Sequence, residues 1–428
     1  MGFADYYLDN SALYQPLIEN EPETDLEIII CIPAYNEETL TICFKALYDC
    51  ELPPCKVEII ALINSPKDIP DEVVSRNLAC LKEGFQWIEN NQREGIRFYV
   101  LYVPDLPPKH AGVGLARKIL LDEAVSRFNK IHKPRGIMGC FDADATCDKN
   151  YLTDLFSAFH NNEKINAASV YFEHPLSGIA FNETVYDGIA QYELHLRYYN
   201  QALRYTGFPY AYHTVGSAMA MRASVYCKQG GMNQRKAGED FYLLQKIIPL
   251  GNFTEINTTR VIPSPRISDR VPFGTGASME KFCRENSGYI LTYNFLSFCQ
   301  LKILFDNYEK FYKNNLRNSE KIVEKLPECL KQFCMDSCIF EKIDEINSHC
   351  ASQHTFNKRF FNWFNAFKVM KFLNFAREEF HESQKVTEAA NLLLQSLNLT
   401  SQKTTEDLLK VFRALDKNGS GLEKMIKI

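Results

Sequence analysis

Four short apolar runs, rich in Ile, Val, Phe and Tyr, alternate with helical patterns in the first third of the chain. The runs are LEIIICIP, KVEIIALIN, IRFYVLYVP and GIMGCFDAD, and between them lie ETLTICFKALYDC, VVSRNLACLKEGFQWIENN and GLARKILLDEAVSRF. Continuous apolar runs of this length are typical of strands that are buried on both faces. Strand alternating with helix predicts an α/β fold, a mostly parallel sheet with helices on both faces.

The pattern divides the chain into three parts. An acidic N-terminal extension covers 1–25, the α/β domain covers 26–275, and 276–428 is predicted to be all helical. Within the last part, RFFNWFNAFKVMKFLNF has polar residues at every third position from 362 to 374. This spacing predicts one helix with a narrow polar stripe, packed deeply against the rest of the protein or against a partner. An interfacial membrane helix is the alternative.

Composition and charge narrow the class of protein. The 428 residues are 46% hydrophobic and 24% charged, as in ordinary globular proteins, and 48 basic against 53 acidic side chains argue against a nucleic-acid partner. The 14 cysteines are scattered, several within predicted strands, which favours reduced buried thiols over a disulfide framework. The start lacks a signal-peptide pattern, and apolar runs of 18 residues are absent from the sequence. We therefore expect a cytoplasmic protein. Peripheral contact with the inner face of a membrane through the C-terminal helices is an alternative that stays open.

Unusual polar residues follow the first two predicted strands. Ligands of open α/β sheets bind at the carboxyl ends of the strands, so these positions are the first place to search for a site. The first strand is followed by Pro33, Tyr35, Asn36 and Glu37, and the second by Asn64. Tyr35 offers a ring for a nucleobase, and the polar residues offer hydrogen bonds to base or ribose. Capped turns explain the same residues equally well.

Two acidic motifs lie further along the chain. Asp142 and Asp144 follow the fourth strand and point the same way in extended chain, which favours a hard cation such as Mg²⁺ or Mn²⁺ over a solvated loop. Glu239 and Asp240 precede the amphipathic pattern FYLLQKII. Asp240 is therefore either a helix-capping residue or a carboxylate that accepts a proton from an attacking hydroxyl.

The ordered series IPAYNEE, GVGLAR, FDADATCDKNYL and GGMNQRKAGED resembles glycosyltransferases of family 2, which have the GT-A fold, over residues 26–275. The resemblance implies an inverting, metal-dependent transfer of a sugar from a nucleoside-diphosphate sugar, most often a UDP-sugar. The implied acceptor is a hydroxyl of a glycan or of a lipid-linked saccharide.

The resemblance also implies roles for individual residues. Those implied to bind the donor are Pro33, Tyr35, Glu37, Asn64, Arg117 and Asp142, with Asn64 standing where the family often has Asp. Asp144 is implied as the direct ligand of Mn²⁺ or Mg²⁺, with Asp142 in the same metal shell. Asp240 is implied as the general base, with Glu239 beside it in the catalytic motif.

Three further segments carry open alternatives. VIPSPRISDRVPFGTG is predicted to be irregular, either a loop that closes over the diphosphate with Arg270 as a phosphate contact or an interdomain linker. His213 is either a third metal ligand or a structural histidine. The tyrosine-rich stretch 181–213 is either acceptor surface or core packing. At the C-terminus, residues 416–421 copy half of a calcium loop, but Lys427 replaces the required Glu, so calcium binding is not expected.

Two other classes of function are compatible with parts of this pattern. A nucleotidyltransferase that makes an activated sugar shares the sheet and the paired carboxylates, but it needs a basic, glycine-rich loop where IPAYNEE is acidic. A catalytically silent sugar-binding or partner-binding protein is the other alternative. The presence of Asp142, Asp144 and Asp240 argues against it.

Overall fold

A computed structural model describes residues 2–14, 16–268, 270, 274–285 and 287–418. The strands are β1 (Leu26–Ala34), β2 (Lys56–Pro66), β3 (Ile96–Leu106), β4 (Ile137–Cys140), β5 (Thr146–Cys147), β6 (Ala167–Phe172), β7 (Met219–Arg222), β8 (Phe253–Ile262), β9 (Leu291–Thr292) and β10 (Gln384–Lys385). The helices up to residue 285 are α1 (Asp5–Ser11), α2 (Thr41–Tyr48), α3 (Asp71–Asn90), α4 (Val113–Lys130), α5 (Tyr151–Asn161), α6 (Glu183–Tyr205), α7 (Ala223–Lys228), α8 (Glu239–Ile247) and α9 (Thr275–Glu285). The later helices are α10 (Phe295–Phe305), α11 (Leu316–Val323), α12 (Glu328–Asp336), α13 (Ile339–Ser348), α14 (Gln353–Trp363), α15 (Ala366–Glu379), α16 (Val386–Ser396) and α17 (Thr405–Lys417).

An eight-stranded sheet has the order β3-β2-β1-β4-β7-β6-β8-β5. Strands β1 to β4 pair in parallel, β7 runs antiparallel to both of its neighbours, and β6 pairs in parallel with β8. This confirms the predicted fold class, a mostly parallel α/β sheet followed by a helical C-terminal region.

The strand order determines where a ligand can bind in this sheet. From β1 to β3 the chain steps along the sheet in one direction, and through α4 it returns past β2 and β1 to β4. Since such crossovers are right-handed, α2 and α3 cover one face and α4 covers the other. The order therefore reverses between β1 and β4, and the carboxyl ends of these two strands border the crevice where open α/β sheets bind ligands.

Burial explains why the first two strands are visible in the sequence pattern. In β1, seven of the nine residues are buried, namely Leu26, Ile28 to Ile32 and Ala34, and β2 is buried from Val57 to Ser65. Both strands accordingly read as continuous apolar runs. Strand β8 alternates between buried and partly exposed positions and contains one asparagine and two threonines in succession. Its sequence pattern is therefore too polar to predict a strand.

The N-terminal extension is folded onto the sheet layer, although its sequence is acidic and without a pattern. Helix α1 packs on α4, where the buried Tyr7 hydroxyl donates to Asp122 Oδ1 at 2.7 Å. Further along, the Leu17 N–H donates to Glu123 at 2.7 Å. Burial raises the pKa of Asp122, and the ion pair with Lys118 opposes this shift. The extension thus supplies partners to charged groups that α4 buries.

The chain forms two compact units. The first comprises residues 1–185 and 214–280, and the second comprises 186–213 and 281–428. The sequence analysis placed 186–213 in the α/β domain, whereas the structure groups this stretch with the C-terminal helices. The reason is aromatic packing: Tyr198 is buried and meets Phe298 edge-on, with ring centroids 5.7 Å apart.

The second unit is a helical assembly with its own aromatic core. The segment predicted as one helix is divided at Asn365 into α14 and α15. Its residues Phe360, Phe364 and Phe372 are completely buried, which favours the predicted deep packing over an interfacial membrane helix. Within the described residues, none of the helices is long and apolar enough to cross a membrane.

Candidate active site

The segments after β1 and β4 lie side by side at the reversal point of the sheet. Cys31 in β1 pairs with Cys140 in β4, and the Phe141 N–H donates to the Cys31 carbonyl at 3.0 Å. The chain then turns out of the sheet at both strands. Tyr35 and Glu37 follow β1, and Asp142 and Asp144 follow β4. The crevice that topology predicts is therefore lined by residues from two of the four sequence motifs.

Arg117 connects the end of β4 to the beginning of α8. Its Nη2 lies 2.6 Å from Asp142 Oδ1, and its Nη1 forms an ion pair with Glu239. The side chains of Arg117 and Glu239 are 6% and 1% exposed, whereas that of Asp142 is 37% exposed. Burial alone would lower the pKa of Arg117, but Asp142 and Glu239 outweigh it and raise the pKa. A permanently charged guanidinium is thus fixed between two acidic motifs almost a hundred residues apart.

Two glycines make this arrangement sterically possible. A Cβ atom at Gly114, in the first turn of α4, would collide with the Arg235 carbonyl oxygen, and at Gly216 it would collide with the Arg117 guanidinium. Glycine at both positions lets the backbone approach more closely than a side chain would allow. Gly114 of GVGLAR therefore has a physical function, which is to bring the segment before α8 against α4.

Asp240 lies in the first turn of α8, directly after Glu239. Its Oδ1 accepts a hydrogen bond of 2.7 Å from the Phe241 N–H. Burial raises the pKa of Asp240 to about 6, Glu239 acts in the same direction, and Arg117 opposes both. Asp142 is also close enough to raise this pKa. Asp240 is therefore a carboxyl group that is partly shielded from solvent and belongs to the same charged cluster as Asp142.

Two arginines of the loop after β8 bind the motif that follows β1. Arg266 donates both Nη atoms to the two Glu37 carboxylate oxygens, each at 2.7 Å, and also forms an ion pair with Asp144. Arg270 donates to the Tyr35 carbonyl at 2.6 Å and to Glu37 at 2.5 Å. Burial raises the pKa of Asp144 to about 6, and Arg266 opposes this shift. Of the segment predicted to be irregular, residues 263–268 have no regular secondary structure, whereas Val261 and Ile262 end β8 and Thr275 begins α9.

Two asparagine side chains beside the β1 motif have unused hydrogen-bonding groups. Asn36 has a positive φ of 54°, and its N–H donates to Asn77 Oδ1 of α3 at 3.0 Å. The buried Asn36 Oδ1 and Asn77 Nδ2 have no hydrogen-bond partner among the described residues. Asn64 is also buried, at the end of β2. One buried acceptor and one buried donor beside this edge of the sheet are therefore unpaired among the described residues.

The predicted site residues fall into two linked groups. Arg117, Asp142, Glu239 and Asp240 form one group, and Tyr35, Glu37, Asp144 and Arg270 form the other. Pro33 and Asn64 lie within β1 and β2, at the same ends of the strands. The roles of these residues stay predictions.

His213 belongs to the second unit, where it has a carboxylate partner. Its Nε2 lies 2.9 Å from Asp416 Oδ2, and Arg197 forms a 2.5 Å ion pair with the same oxygen. His213 and Arg197 hold the pKa of Asp416 far below its ordinary value, against the effect of burial. This is the arrangement of a structural histidine, the alternative to a metal ligand. Asp416 is the first residue of the incomplete calcium-loop pattern, whose remainder from residue 419 lies outside the described residues.

Within the described parts of the chain, no cluster of three or more His, Cys, Asp or Glu side chains is arranged to hold a metal ion. Asp142 and Asp144 are each paired with an arginine instead. They are two oxygen donors on one turn, the number that a protein commonly supplies to Mg²⁺ when substrate phosphates complete the coordination. The donor set fits a cation that binds together with a phosphate ligand.

Sequence reasoning missed the positions of Arg266 and Asn77. Arg266 lies in the segment VIPSPRISDRVPFGTG, in which only Arg270 is predicted as a phosphate contact. The presence of two arginines in one irregular segment is the signal that could have indicated an anionic neighbour. Asn77 gave no signal, because a polar residue in an amphipathic helix is expected on the solvent side.

No protein-family profile matches this sequence, and no curated protein matches it. Among solved structures, the chain is similar to Staphylococcus aureus TarS 1–349 in complex with UDP-GlcNAc, with 13% identity, a TM-score of 0.37, and coverage of 94% of this chain and 92% of that chain. It is also similar to glucosyl-3-phosphoglycerate synthase from Mycobacterium tuberculosis in complex with Mg²⁺ and UDP, with 15% identity, a TM-score of 0.36, and coverage of 63% and 84%. A second structure of that synthase, with Mn²⁺, UDP and glucosyl-3-phosphoglycerate, has 16% identity, the same TM-score of 0.36 and the same coverage of 63% and 84%.

Proposed function

We propose that this protein is an inverting, metal-dependent glycosyltransferase that moves a sugar from a nucleoside-diphosphate sugar, a UDP-sugar first of all, to an acceptor hydroxyl. The observation that carries the proposal is the position of Arg117, which binds Asp142 after β4 and Glu239 at the start of α8. A carboxylate pair and a separate catalytic carboxyl are thereby held in one crevice at the carboxyl ends of parallel strands. The acceptor class, a glycan or lipid-linked saccharide, stays a prediction.

Asp142 and Asp144 are the residues that would hold the cation. Asp142 is partly exposed on the crevice side, while Asp144 is paired with Arg266. When bound, Mn²⁺ or Mg²⁺ neutralises the charge of a departing nucleoside diphosphate without any proton transfer. To bind a cation, Asp144 would have to give up its ion pair with Arg266, whose two Nη atoms would still be held by Glu37.

Arg266 and Arg270 are suited to bind that diphosphate. Both belong to the loop after β8, and both are now engaged with Glu37, an anion at the edge of the crevice. Guanidinium groups bind phosphate in the same bidentate geometry that Arg266 uses for Glu37. We expect the donor diphosphate to compete with Glu37 for these arginines.

Asp240 is the candidate general base. Its carboxylate would accept the proton of the acceptor hydroxyl as the oxygen attacks the anomeric carbon from the face opposite the leaving group. A single displacement of this kind inverts the anomeric configuration and needs no covalent glycosyl-enzyme. With a pKa raised to about 6, Asp240 is still mostly ionised at neutral pH, and its carboxylate is a better proton acceptor than that of an ordinary Asp.

The recognition of the nucleoside is supported by the unpartnered amide groups. Asn36 Oδ1 is an acceptor and Asn77 Nδ2 is a donor, both beside Tyr35 and the β1 motif. Uracil presents both a donor and acceptors on one edge, so it could satisfy both groups if rotation of the two side chains brought these buried atoms to the surface. Tyr35 is available as a surface on which the base can stack.

The test is incubation of the full chain with a panel of nucleotide sugars and Mn²⁺, with detection of the released nucleotide product. Release of free nucleoside diphosphate supports the proposal if this release is lost in an Asp240→Asn variant and in the absence of Mn²⁺. Release of pyrophosphate from a nucleoside triphosphate and a sugar phosphate would instead identify a nucleotidyltransferase. Binding of donors without any release would indicate a silent binding protein.

A further inference from the structure

Two cysteines lie side by side in the first unit, outside the proposed site. The Sγ atoms of Cys50 and Cys147 are 3.6 Å apart. Cys50 follows α2, and Cys147 is the last residue of β5, three positions after Asp144. All 14 cysteines of the chain are reduced in this structure. The distance between these two sulfur atoms is that of thiols in contact, with one hydrogen-bonded to the other.

The two chain segments that carry these cysteines are already held together by the backbone. The Glu51 N–H donates to the Lys149 carbonyl at 2.7 Å, and Cys50 Sγ lies 3.8 Å from the Asp148 carbonyl oxygen. A disulfide requires the sulfur atoms to approach to about 2.0 Å. Side-chain rotation and small backbone shifts can supply the remaining distance, since neither segment has to leave its present neighbours.

The surroundings of the pair favour thiolate chemistry. The hydrogen bond from Cys147 lowers the pKa of the Cys50 thiol, and the Leu152 N–H and Arg93 act in the same direction against burial. Arg93 also donates to the Cys50 carbonyl at 2.9 Å. The same hydrogen bond and burial raise the pKa of Cys147. These contacts favour the thiolate of Cys50, and a thiolate is the nucleophile in thiol–disulfide exchange.

We propose that Cys50 and Cys147 form a site of reversible oxidation, closing to an intramolecular disulfide in exchange with small-molecule disulfides. Cys147 is partly exposed and Cys50 is completely buried, so the small disulfide reaches Cys147 first. Cys147 loses its proton as it attacks one sulfur atom of oxidised glutathione and releases one glutathione thiolate, which takes up that proton. Cys50 then attacks the Cys147 sulfur of the mixed disulfide and releases the second.

The electron and proton balance of this exchange is complete. One sulfur–sulfur bond breaks in glutathione disulfide and one forms between Cys50 and Cys147, so the cysteine pair is oxidised by two electrons. The two cysteine protons go to the two released glutathione thiolates. The new bond ties the end of α2 to the strand that follows the Asp142 and Asp144 turn.

The experiment equilibrates the full chain in glutathione buffers of graded potential, then alkylates free thiols and identifies linked peptides by mass spectrometry without reduction. We expect a Cys50–Cys147 linkage, two hydrogen atoms lighter than the separate peptides, to form at a more reducing potential than any other linkage. Dithiothreitol should reverse it. The proposal would be overturned if both cysteines remained free thiols, and were alkylated, after incubation with glutathione disulfide alone. Preferential linkage of other cysteines would overturn it as well.

Two variants provide matched controls for the linkage. Cys43→Ser changes another buried cysteine of α2, whose Sγ lies 3.1 Å from the Leu40 carbonyl oxygen, and should leave the linkage unchanged. Arg93→Gln keeps both thiols and should slow disulfide closure most strongly below neutral pH, where its charge favours the thiolate. An unchanged rate and pH profile in Arg93→Gln would contradict the thiolate mechanism. The linkage is detected by mass spectrometry and not by enzyme activity. Absence of the linkage would therefore not count against the proposed glycosyltransferase function.

Discussion

Arg117 is almost completely buried, and two carboxylates share its charge. Removing one member of a buried ion pair is strongly destabilising, because the remaining charges lose their compensation. We expect Arg117→Met to lower the free energy of unfolding by about 3–5 kcal/mol, measured by urea titration. The change leaves Glu239, which is 1% exposed, as an unpaired anion.

A second substitution and a surface control separate this effect from general loss of packing. Adding Glu239→Gln should restore part of the stability, since it removes the uncompensated charge. Arg76→Met breaks an exposed pair with Glu72 and should have only a small fraction of the effect. Equal losses in Arg117→Met and Arg76→Met would show that the buried pairs are not important for stability.

Asp240 is the residue on which the proposed chemistry depends most directly. We expect Asp240→Asn to keep donor binding, measured by calorimetry, and to reduce transfer by at least about a hundredfold, the usual contribution of a general base. Asp71→Asn is the matched control, because Asp71 is an exposed acidic residue in the first turn of α3. Transfer close to that of the unchanged protein in Asp240→Asn would exclude Asp240 as the base.

The same residue predicts the acid limb of the pH profile. Burial raises the pKa of Asp240 to about 6, and a general base has to be deprotonated to act. We therefore expect kcat/KM to be constant at neutral pH and to fall about tenfold per pH unit below pH 6, as the protonated fraction grows. An acid limb near pH 4, typical of an exposed Asp, would contradict the shifted pKa.

At the level of secondary-structure elements, prediction from sequence worked for the four apolar runs that alternate with helical patterns. β1 to β4 were all predicted, whereas the continuously buried strands β6 and β7 and the more polar β8 were missed. The division between α14 and α15 was also missed, because the residues on either side of Asn365 keep a helical apolar spacing. A local hydrogen bond begins α15 at this point: Asn365 is its N-cap, and Asn365 Oδ1 accepts from the Lys368 N–H at 3.2 Å.

This capping role gives a prediction for stability. Replacing an N-cap asparagine by alanine removes the acceptor for a free helix N–H and typically lowers stability by about 1 kcal/mol. We expect Asn365→Ala to lower the free energy of unfolding by this amount, measured by chemical denaturation. Asn362→Ala, at an exposed position inside α14, should be neutral or slightly stabilising, since alanine favours helix. A neutral Asn365→Ala would indicate that packing alone separates the two helices.

At the level of the whole molecule, topology accounts for the position of the predicted site residues, whereas no local pattern specifies how the chain is grouped into two units. The motifs after the strands could be located because topology places strand ends together, whichever residues follow. The pairing of Arg266 with Glu37 spans 229 positions, and nothing in either local pattern specifies it. The same limit applies to α6, whose tyrosines indicate an aromatic surface without indicating which helices cover it.

The second unit is built from two separate segments of the chain that are joined by buried ion pairs, and these ion pairs lead to a prediction for fragments. Residues 186–213 supply Arg197 and His213 to the buried Asp416 of α17 and Glu193 to Arg413, so a fragment of 281–428 alone leaves these charges without partners. We expect this fragment to lack a cooperative thermal transition by near-ultraviolet circular dichroism. Joining 186–213 to 281–428 through a glycine–serine linker should restore the transition. Cooperative unfolding of the 281–428 fragment alone would show that the buried ion pairs contribute little to this unit.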